Sequence, residues 1–376
     1  MLGKLTFKRA NLARAYCDSL AGKGIADARS GLFLAGPRRV GKSTFLLEDL
    51  LPEAKARKWL SVYVDLWSNR KMDPAILIIE AVKKELVARK NTFQKLIGRI
   101  RKINLKVIEL DFSQPGLPAN VTLSDLLSCL IALSKKPLLL VIDEAQHALS
   151  TDAGINTMFS LKSARDQINS AHEAPDLMLV FTGSNRDKLA QLVVKKDQPF
   201  FGSEITAFPL LGRDFTDFLT STVNKALAAN NQFTPASMWD AFQKTGHRPE
   251  ILRQIVGSVA ISNNAGSFSD LLKQNATLWQ SKLWEEYEHE YQVLSPLQQI
   301  ILMLLIQHEK AWSPFSESSM QQYQEILKQP ALSVSTVQTA IQSLRDRGFI
   351  WQSSRGAYAL EDLGFAQWLQ HHTETA

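Results

Sequence analysis

Gly36-Pro-Arg-Arg-Val-Gly-Lys-Ser43 follows the short apolar run Gly31-Leu-Phe-Leu-Ala35 and opens onto Thr44-Phe-Leu-Leu47. Glycines at the first and sixth positions, then Lys and Ser, reproduce the spacing of a loop that wraps phosphate groups. At ordinary residue frequencies a chain of this length shows that pattern by accident roughly once in a hundred. Its setting therefore matters. A buried strand feeds the loop and a helix is expected from Lys42 onward, the strand, loop and helix order that a phosphate cradle requires.

The 376 residues suffice for two or three domains. A hydrophobic fraction of 45% and a net charge of +6 describe an ordinary soluble chain, in which an anionic partner is permitted but not demanded. Cys17 and Cys129 lie far apart with no paired spacing, which argues against a disulfide framework and a zinc site. The start, Met1 to Arg9, lacks a signal-like apolar core, and runs such as Ile300 to Ile306 are too short to span a bilayer, so a cytoplasmic location without membrane contact is expected.

Residues 8 to 28 read as a helix with Leu12, Tyr16 and Leu20 on one stripe. Trp59 to Asp65 reads as a second strand, followed by a helix that Asp73-Pro74 would start. Leu138 to Ile142 and Leu177 to Phe181 are continuous apolar runs, as in strands covered on both faces. Strands alternating with helices predict a parallel sheet in an α/β domain. Beyond about residue 207 the period becomes helical, with Phe215, Phe218 and Leu219 on one face and Ile251, Leu252 and Ile255 on another. From Leu294 three helices precede Gly348 to Gln352, a Ser353 to Gly356 turn and Ala357 to Leu360, the order of a winged helix-turn-helix. The expected domains are an α/β domain over 1–207, a helical lid over 208–292 and a winged helix over 293–376.

The loop supplies what a triphosphate needs. Gly36 and Gly41 let the backbone wrap the phosphates, Lys42 reaches the β and γ oxygens, and the Ser43 hydroxyl ligates Mg²⁺. The contacting set is Gly36, Pro37, Arg38, Arg39, Val40, Gly41, Lys42, Ser43 and Thr44. Asp143-Glu144 directly after an apolar strand is costly unless negative charge is needed there. Asp143 is expected to hold Mg²⁺ through water and Glu144 to act as general base, the alternative being that the pair caps the next helix. Ser184 and Asn185, ending another apolar strand, come to the same sheet edge, where either can bond the γ-phosphate or the attacking water, unless Asn185 merely caps a helix.

Together these segments resemble the AAA+ ATPases, and within them the origin-recognition-like and archaeal-type ATPases that border on STAND signalling ATPases. The likeness is carried by Gly36 to Ser43, Asp143-Glu144-Ala-Gln146, Thr182-Gly-Ser-Asn185, Phe208-Pro-Leu-Leu211 and Gly246-His-Arg-Pro249. It implies ATP hydrolysis with Mg²⁺, and it places Arg248 as a sensor-2 residue of the lid, the alternative being a loop Arg ahead of a Pro-started helix. Relatives often carry an Arg where Ser203 follows Gly202, so no arginine finger is evident; Arg186 and Arg213 are weak substitutes, and slow hydrolysis is expected.

Lys83, Lys84, Arg89, Lys90, Lys95, Arg99, Arg101, Lys102 and Lys106 form one dense basic stretch, able to track the backbone of double-stranded DNA or to serve as a solvated surface. The expected recognition helix, Ser333 to Ser343, has no charge until Arg345, although Ser335, Thr336, Gln338 and Thr339 can contact bases or phosphates. Two readings follow: a DNA-associated ATPase of initiator or transposition-regulator kind, which can form nucleotide-dependent oligomers, and a STAND-like switch whose winged helix, moved by ATP, binds a protein partner.

Overall fold

The structure, a computed structural model, describes residues 6–24, 26–69, 71–89, 115–118, 120–170, 173–194, 196–262, 266–308, 312–354 and 356–375. The chain forms two compact units: one comprises Lys8–Gly36 and Lys42–Phe208, the other Pro209–Ala376 with Met1–Phe7 and Pro37–Gly41. The basic stretch from Lys90 to Lys106, with Arg99, Arg101 and Lys102, lies outside the described residues. Lys83, expected to belong to that surface, is instead buried and pairs with Glu80 at 3.1 Å.

The first unit is built on a parallel sheet of β1 (Leu32–Ala35), β2 (Leu60–Asp65), β3 (Leu138–Asp143), β4 (Leu177–Gly183) and β5 (Ile205–Ala207), in the order β2-β3-β4-β1-β5. Every residue of β3 and β4 is buried, as their unbroken apolar character requires when helices cover both faces. Phe33 of β1 stacks on Phe181 of β4 at 4.7 Å, and Phe200 closes on both rings. In β2 burial alternates instead, with Leu60, Val62 and Val64 inward and Tyr63 and Asp65 on the other face.

Helix α1 spans Ala10–Leu20 and is shorter than the 8–28 expected. Gly22 adopts φ +68°, a left-handed conformation that ends the helix and favours glycine. After the loop, α2 (Lys42–Phe45) passes through a π-turn, Leu46–Leu50, into α3 (Leu51–Ala56). Pro52 explains the widening, because it has no N–H to give to the carbonyl of Glu48. The Leu51 N–H reaches back to Leu46, and the freed Glu48 carbonyl accepts from Lys8 Nζ at 2.6 Å.

Helix α4 (Pro74–Val87) starts as expected, with Asp73 accepting from the Ala75 N–H and Pro74 in its first turn. A reciprocal cap between Thr122 and Asp125 opens α5 (Leu123–Ser134), and Thr151 caps α6 (Asp152–Asn169). Helix α7 spans Arg186–Val194.

In the second unit α8 (Arg213–Asn224), α9 (Pro235–Lys244) and α10 (Pro249–Ala260) close around Phe215, Leu219, Phe242 and Leu252. Helix α11 (Phe268–Gln292) serves two cores: Leu272 and Ala276 join that cluster, whereas Tyr287 joins the next. The second core belongs to α12 (Pro296–His308), α13 (Glu317–Leu327), α14 (Val334–Asp346), the antiparallel hairpin β6 (Ile350–Ser354) and β7 (Ala357–Leu360), and α15 (Leu363–Thr375). The hairpin after three helices matches the sequence expectation; α15, which seats Phe365, Trp368 and Leu369 in the core, is an addition to it. Among the described residues no helix is long and apolar enough to cross a membrane.

Candidate active site

All five strands are parallel, so the loop after β1 and the residues ending β3 and β4 emerge at one sheet edge. Strand β4 lies between β1 and β3, so Gly183 registers with Ala35.

The loop is held by its first glycine. The Gly36 N–H donates to the Gly183 carbonyl at 3.2 Å, and a Cβ at Gly36 would stand 3.2 Å from Phe208 Cβ. Arg39 and Gly41 take φ +65° and +95°, so the backbone doubles back on either side of Val40. Arg38 and Arg39 are exposed and Pro37 is half-buried. Lys42 is buried, and its ammonium donates to the Gly36 carbonyl at 2.6 Å, across the loop's own mouth. Ser43 and Thr44 are exposed at the start of α2. Behind them Arg9 lies over the Phe208 ring at 4.9 Å and gives its N–H to the buried Asp49 of the π-turn at 2.9 Å.

Asp143 ends β3 and is 1% exposed. A carboxylate there needs donors, and it has three: the Tyr63 hydroxyl at 2.8 Å on Oδ2, and on Oδ1 the Glu144 N–H at 3.1 Å and the Thr182 hydroxyl. Glu144 follows at φ +55°, a strained position for a side chain with a Cβ, and turns its carboxylate toward β4. Its Oε2 accepts from the Ser184 hydroxyl at 2.7 Å, the Ser184 N–H at 3.3 Å and the Gln146 amide. The other amide atom of Gln146, Oε1, is buried without a hydrogen-bond partner, and a Cβ on Gly183 would come within 2.8 Å of it. Any larger residue there would displace the Gln146 amide.

Asp65 registers directly beside Asp143. Burial raises its pKa, and the carboxylates of Asp143 and Glu144 raise it further, against the Trp67 N–H that it accepts at 2.8 Å. Burial, followed by the charge of Asp143, pushes the Tyr63 phenol far above its ordinary range, so Tyr63 is a fixed donor. Among the described residues no group of three or more His, Cys, Asp and Glu forms a metal cage.

The remaining expected residues divide. Ser184 joins Glu144, whereas Asn185 Oδ1 accepts from the Lys188 N–H at 2.8 Å and so caps α7. Ser203 holds the Ser30 hydroxyl at 3.3 Å. Arg213 lies over Trp239 at 5.3 Å. Arg248, within the second unit, pairs with Asp362 at 3.0 Å over the Trp279 ring. Tyr63, Asp65 and Arg9 escaped the sequence reading. For Tyr63 and Asp65 a signal was available, since in Val62-Tyr-Val-Asp65 they share the face opposite the valines.

This fold and edge define a class: an α/β domain of the P-loop ATPase fold, AAA+-like, followed by helices and a C-terminal winged helix. Residues 285–371 match the family described as "Probable winged helix domain". Among solved structures the chain is similar to a Walker-type ATPase of Pyrococcus abyssi, with 21% identity and a TM-score of 0.56 over 98% of this chain and 100% of that one. It is also similar to the ORC2 protein of Aeropyrum pernix in its ADP form, with 16% identity and a TM-score of 0.54 over 96% of this chain and 93% of that one. At these identities the likeness is one of fold, and at that level the resemblance drawn from the motifs holds. No curated protein sequence matches the chain.

Proposed function

We propose that the chain binds and hydrolyses ATP and uses the nucleotide state as a conformational switch. The observation that carries this reading is the pair Asp143-Glu144, two carboxylates held by donors from β2, from β4 and from Gln146 at the sheet edge where the Gly36 to Ser43 loop emerges. Lys42 would move its ammonium from the Gly36 carbonyl to phosphate oxygens, which carry more charge than a carbonyl. Ser43 and, through water, Asp143 would hold Mg²⁺, an ion that commonly keeps several waters and binds through one or two carboxylates plus phosphates. When bound, Mg²⁺ supplies charge neutralisation on the phosphates. Glu144 takes a proton from the attacking water as its oxygen bonds the γ-phosphorus and ADP departs. Ser184 and Gln146 hold the Glu144 carboxylate in place. In the lid Arg248 reads the nucleotide, and with Ser203 at the finger position hydrolysis is slow.

The Walker-type ATPase of Pyrococcus abyssi and the ADP form of the ORC2 protein support nucleotide binding by this fold. For the partner, the winged helix and the basic stretch around Arg99, Arg101 and Lys102 favour double-stranded DNA. A specific observation favours the second reading, a protein partner of a STAND-like switch. The exposed polar residues of α14, Ser335, Thr336, Gln338, Thr339 and Gln342, are neutral up to the acidic Asp346, and 285–371 holds twice as many Asp and Glu as Lys and Arg. Molecular mass in solution with ATP or ADP, with and without duplex DNA, tests both at once. Absence of DNA binding at low salt in either nucleotide state removes the DNA reading, and a Lys42→Ala chain that binds ATP as the parent does removes the nucleotide site.

A further inference from the structure

A carboxylate has about four lone-pair positions. In Asp143 the Glu144 N–H and the Thr182 hydroxyl take both positions on Oδ1, and Tyr63 takes one on Oδ2. One acceptor position remains among the described residues, and it is on the oxygen that Tyr63 holds. The Tyr63 side chain comes from β2, two residues before the Asp65 that registers beside Asp143.

We propose that Tyr63 is the positioning residue of the metal site: by bonding Oδ2 it fixes the Asp143 rotamer and aims the one open lone pair at the water shell of the nucleotide's divalent cation. The inference rests on the Mg²⁺-nucleotide reading above and adds to it a residue outside the loop and outside the acidic pair. Thr182 fixes the other oxygen, so the carboxylate is gripped from strands on both sides and cannot rotate about its Cβ–Cγ bond. Asp65, charged and adjacent, would compete for the same cation; the Trp67 N–H keeps one of its oxygens occupied. Groups that orient a metal-facing carboxylate typically account for a 10–100-fold factor in metal affinity.

The test uses the full chain and Mn²⁺ as probe. Mn²⁺ affinity is measured by electron paramagnetic resonance in the presence of saturating ADP, and metal-free ADP affinity by calorimetry. For Tyr63→Phe, which removes only the hydroxyl, Mn²⁺ affinity is expected to fall by about tenfold while metal-free ADP affinity stays at the parent value. A purely structural role would instead leave Mn²⁺ affinity intact or lower both. Asp143→Asn alone and Asp143→Asn with Tyr63→Phe should bind Mn²⁺ equally weakly, because Tyr63 acts through Asp143. Parental Mn²⁺ affinity in Tyr63→Phe overturns the proposal while leaving the nucleotide site standing. If the parent binds no ADP, the nucleotide reading itself fails and the proposal with it. Should Tyr63→Phe not fold, Thr182→Val removes the other side-chain donor and must show the same selective loss of Mn²⁺; no loss there overturns the proposal equally.

Discussion

Arg248 and Asp362 form an ion pair, with 3.0 Å between Nη2 and Oδ2, that joins the loop before α10 to the residue preceding α15. Asp362 is more than a counter-ion. Its Oδ1 accepts from the Tyr287 hydroxyl at 3.0 Å and from the Gly364 and Phe365 N–H groups, so one carboxylate caps α15, anchors α11 and holds the proposed lid arginine. A Cβ at position 364 would come within 2.8 Å of the Tyr287 hydroxyl, which is why glycine stands there.

From this follows a test of Arg248. An arginine can read a phosphate only after leaving its carboxylate, so the pair works against nucleotide binding. Asp362→Asn keeps an acceptor for the helix cap and removes the charge. The pair is partly buried, with side-chain exposures of 17% for Arg248 and 36% for Asp362, and contributes on the order of 1 kcal/mol, so the variant should stay folded. ATP affinity, read with a fluorescent analogue, should rise severalfold, whereas Arg248→Ala should lower it. An Asp362→Asn chain with parental affinity would separate Arg248 from the nucleotide.

The base assignment makes a sharper demand. Glu144→Gln still offers an oxygen to the Ser184 hydroxyl, so the local structure should survive, but an amide cannot take a proton from water. ATP should bind at parental affinity while turnover falls by about 10²–10⁴-fold, as phosphate-release assays would show. Turnover at the parental rate would remove Glu144 from the chemistry.

Much of this arrangement was legible in the sequence because its signals are local. Continuous apolar runs marked β3 and β4, Asp73-Pro74 marked the start of α4, and two glycines with Lys and Ser marked the loop. What stayed hidden depends on register. That Tyr63 meets Asp143 follows from β2 pairing with β3, a choice made by strands whose registered residues lie 78 apart in the chain rather than by either segment alone. The π-turn was hidden for another reason: Pro52 signals a disturbed helix, but the freed carbonyl is met by Lys8, which lies ahead of α1 and 40 residues from Glu48. Arg248 was found, but not its partner, because Asp362 lies 114 residues away.

Asp65 gives a pH-dependent stability. Its pKa is raised in the folded state by burial and by Asp143 and Glu144, so protonation favours the fold. Its charge therefore opposes folding once pH rises above the unfolded carboxylate value and through the raised folded one, and this opposition is absent in acid. Asp65→Asn preserves an acceptor for the Trp67 N–H and removes the repulsion. The group is part-exposed, and solvent screens the gain to well under about 1 kcal/mol. Thermal denaturation should give a melting temperature about 1–2 °C above the parent at pH 7 and no difference near pH 4. A variant less stable than the parent at pH 7 would show that the carboxylate is needed for structure.

Ser184 and Asn185 are neighbours at the end of β4, and the sequence alone gave them the same role. Their geometry separates them. The Ser184 hydroxyl and N–H both bond Glu144 Oε2, whereas Asn185 Oδ1 is committed to the first turn of α7 through the Lys188 N–H. Ser184→Ala should therefore leave stability near the parent, since the Ser184 N–H and the Gln146 amide still bond the half-buried Glu144 carboxylate, and lower turnover by freeing its rotamer. Asn185→Ala loses a helix cap, for which about 1 kcal/mol of stability is the usual cost. A loss of turnover beyond that expected from unfolding would assign Asn185 a contact with the γ-phosphate or the water. Urea denaturation and steady-state kinetics on the two variants distinguish these outcomes, and equal effects in both assays would contradict the division of labour.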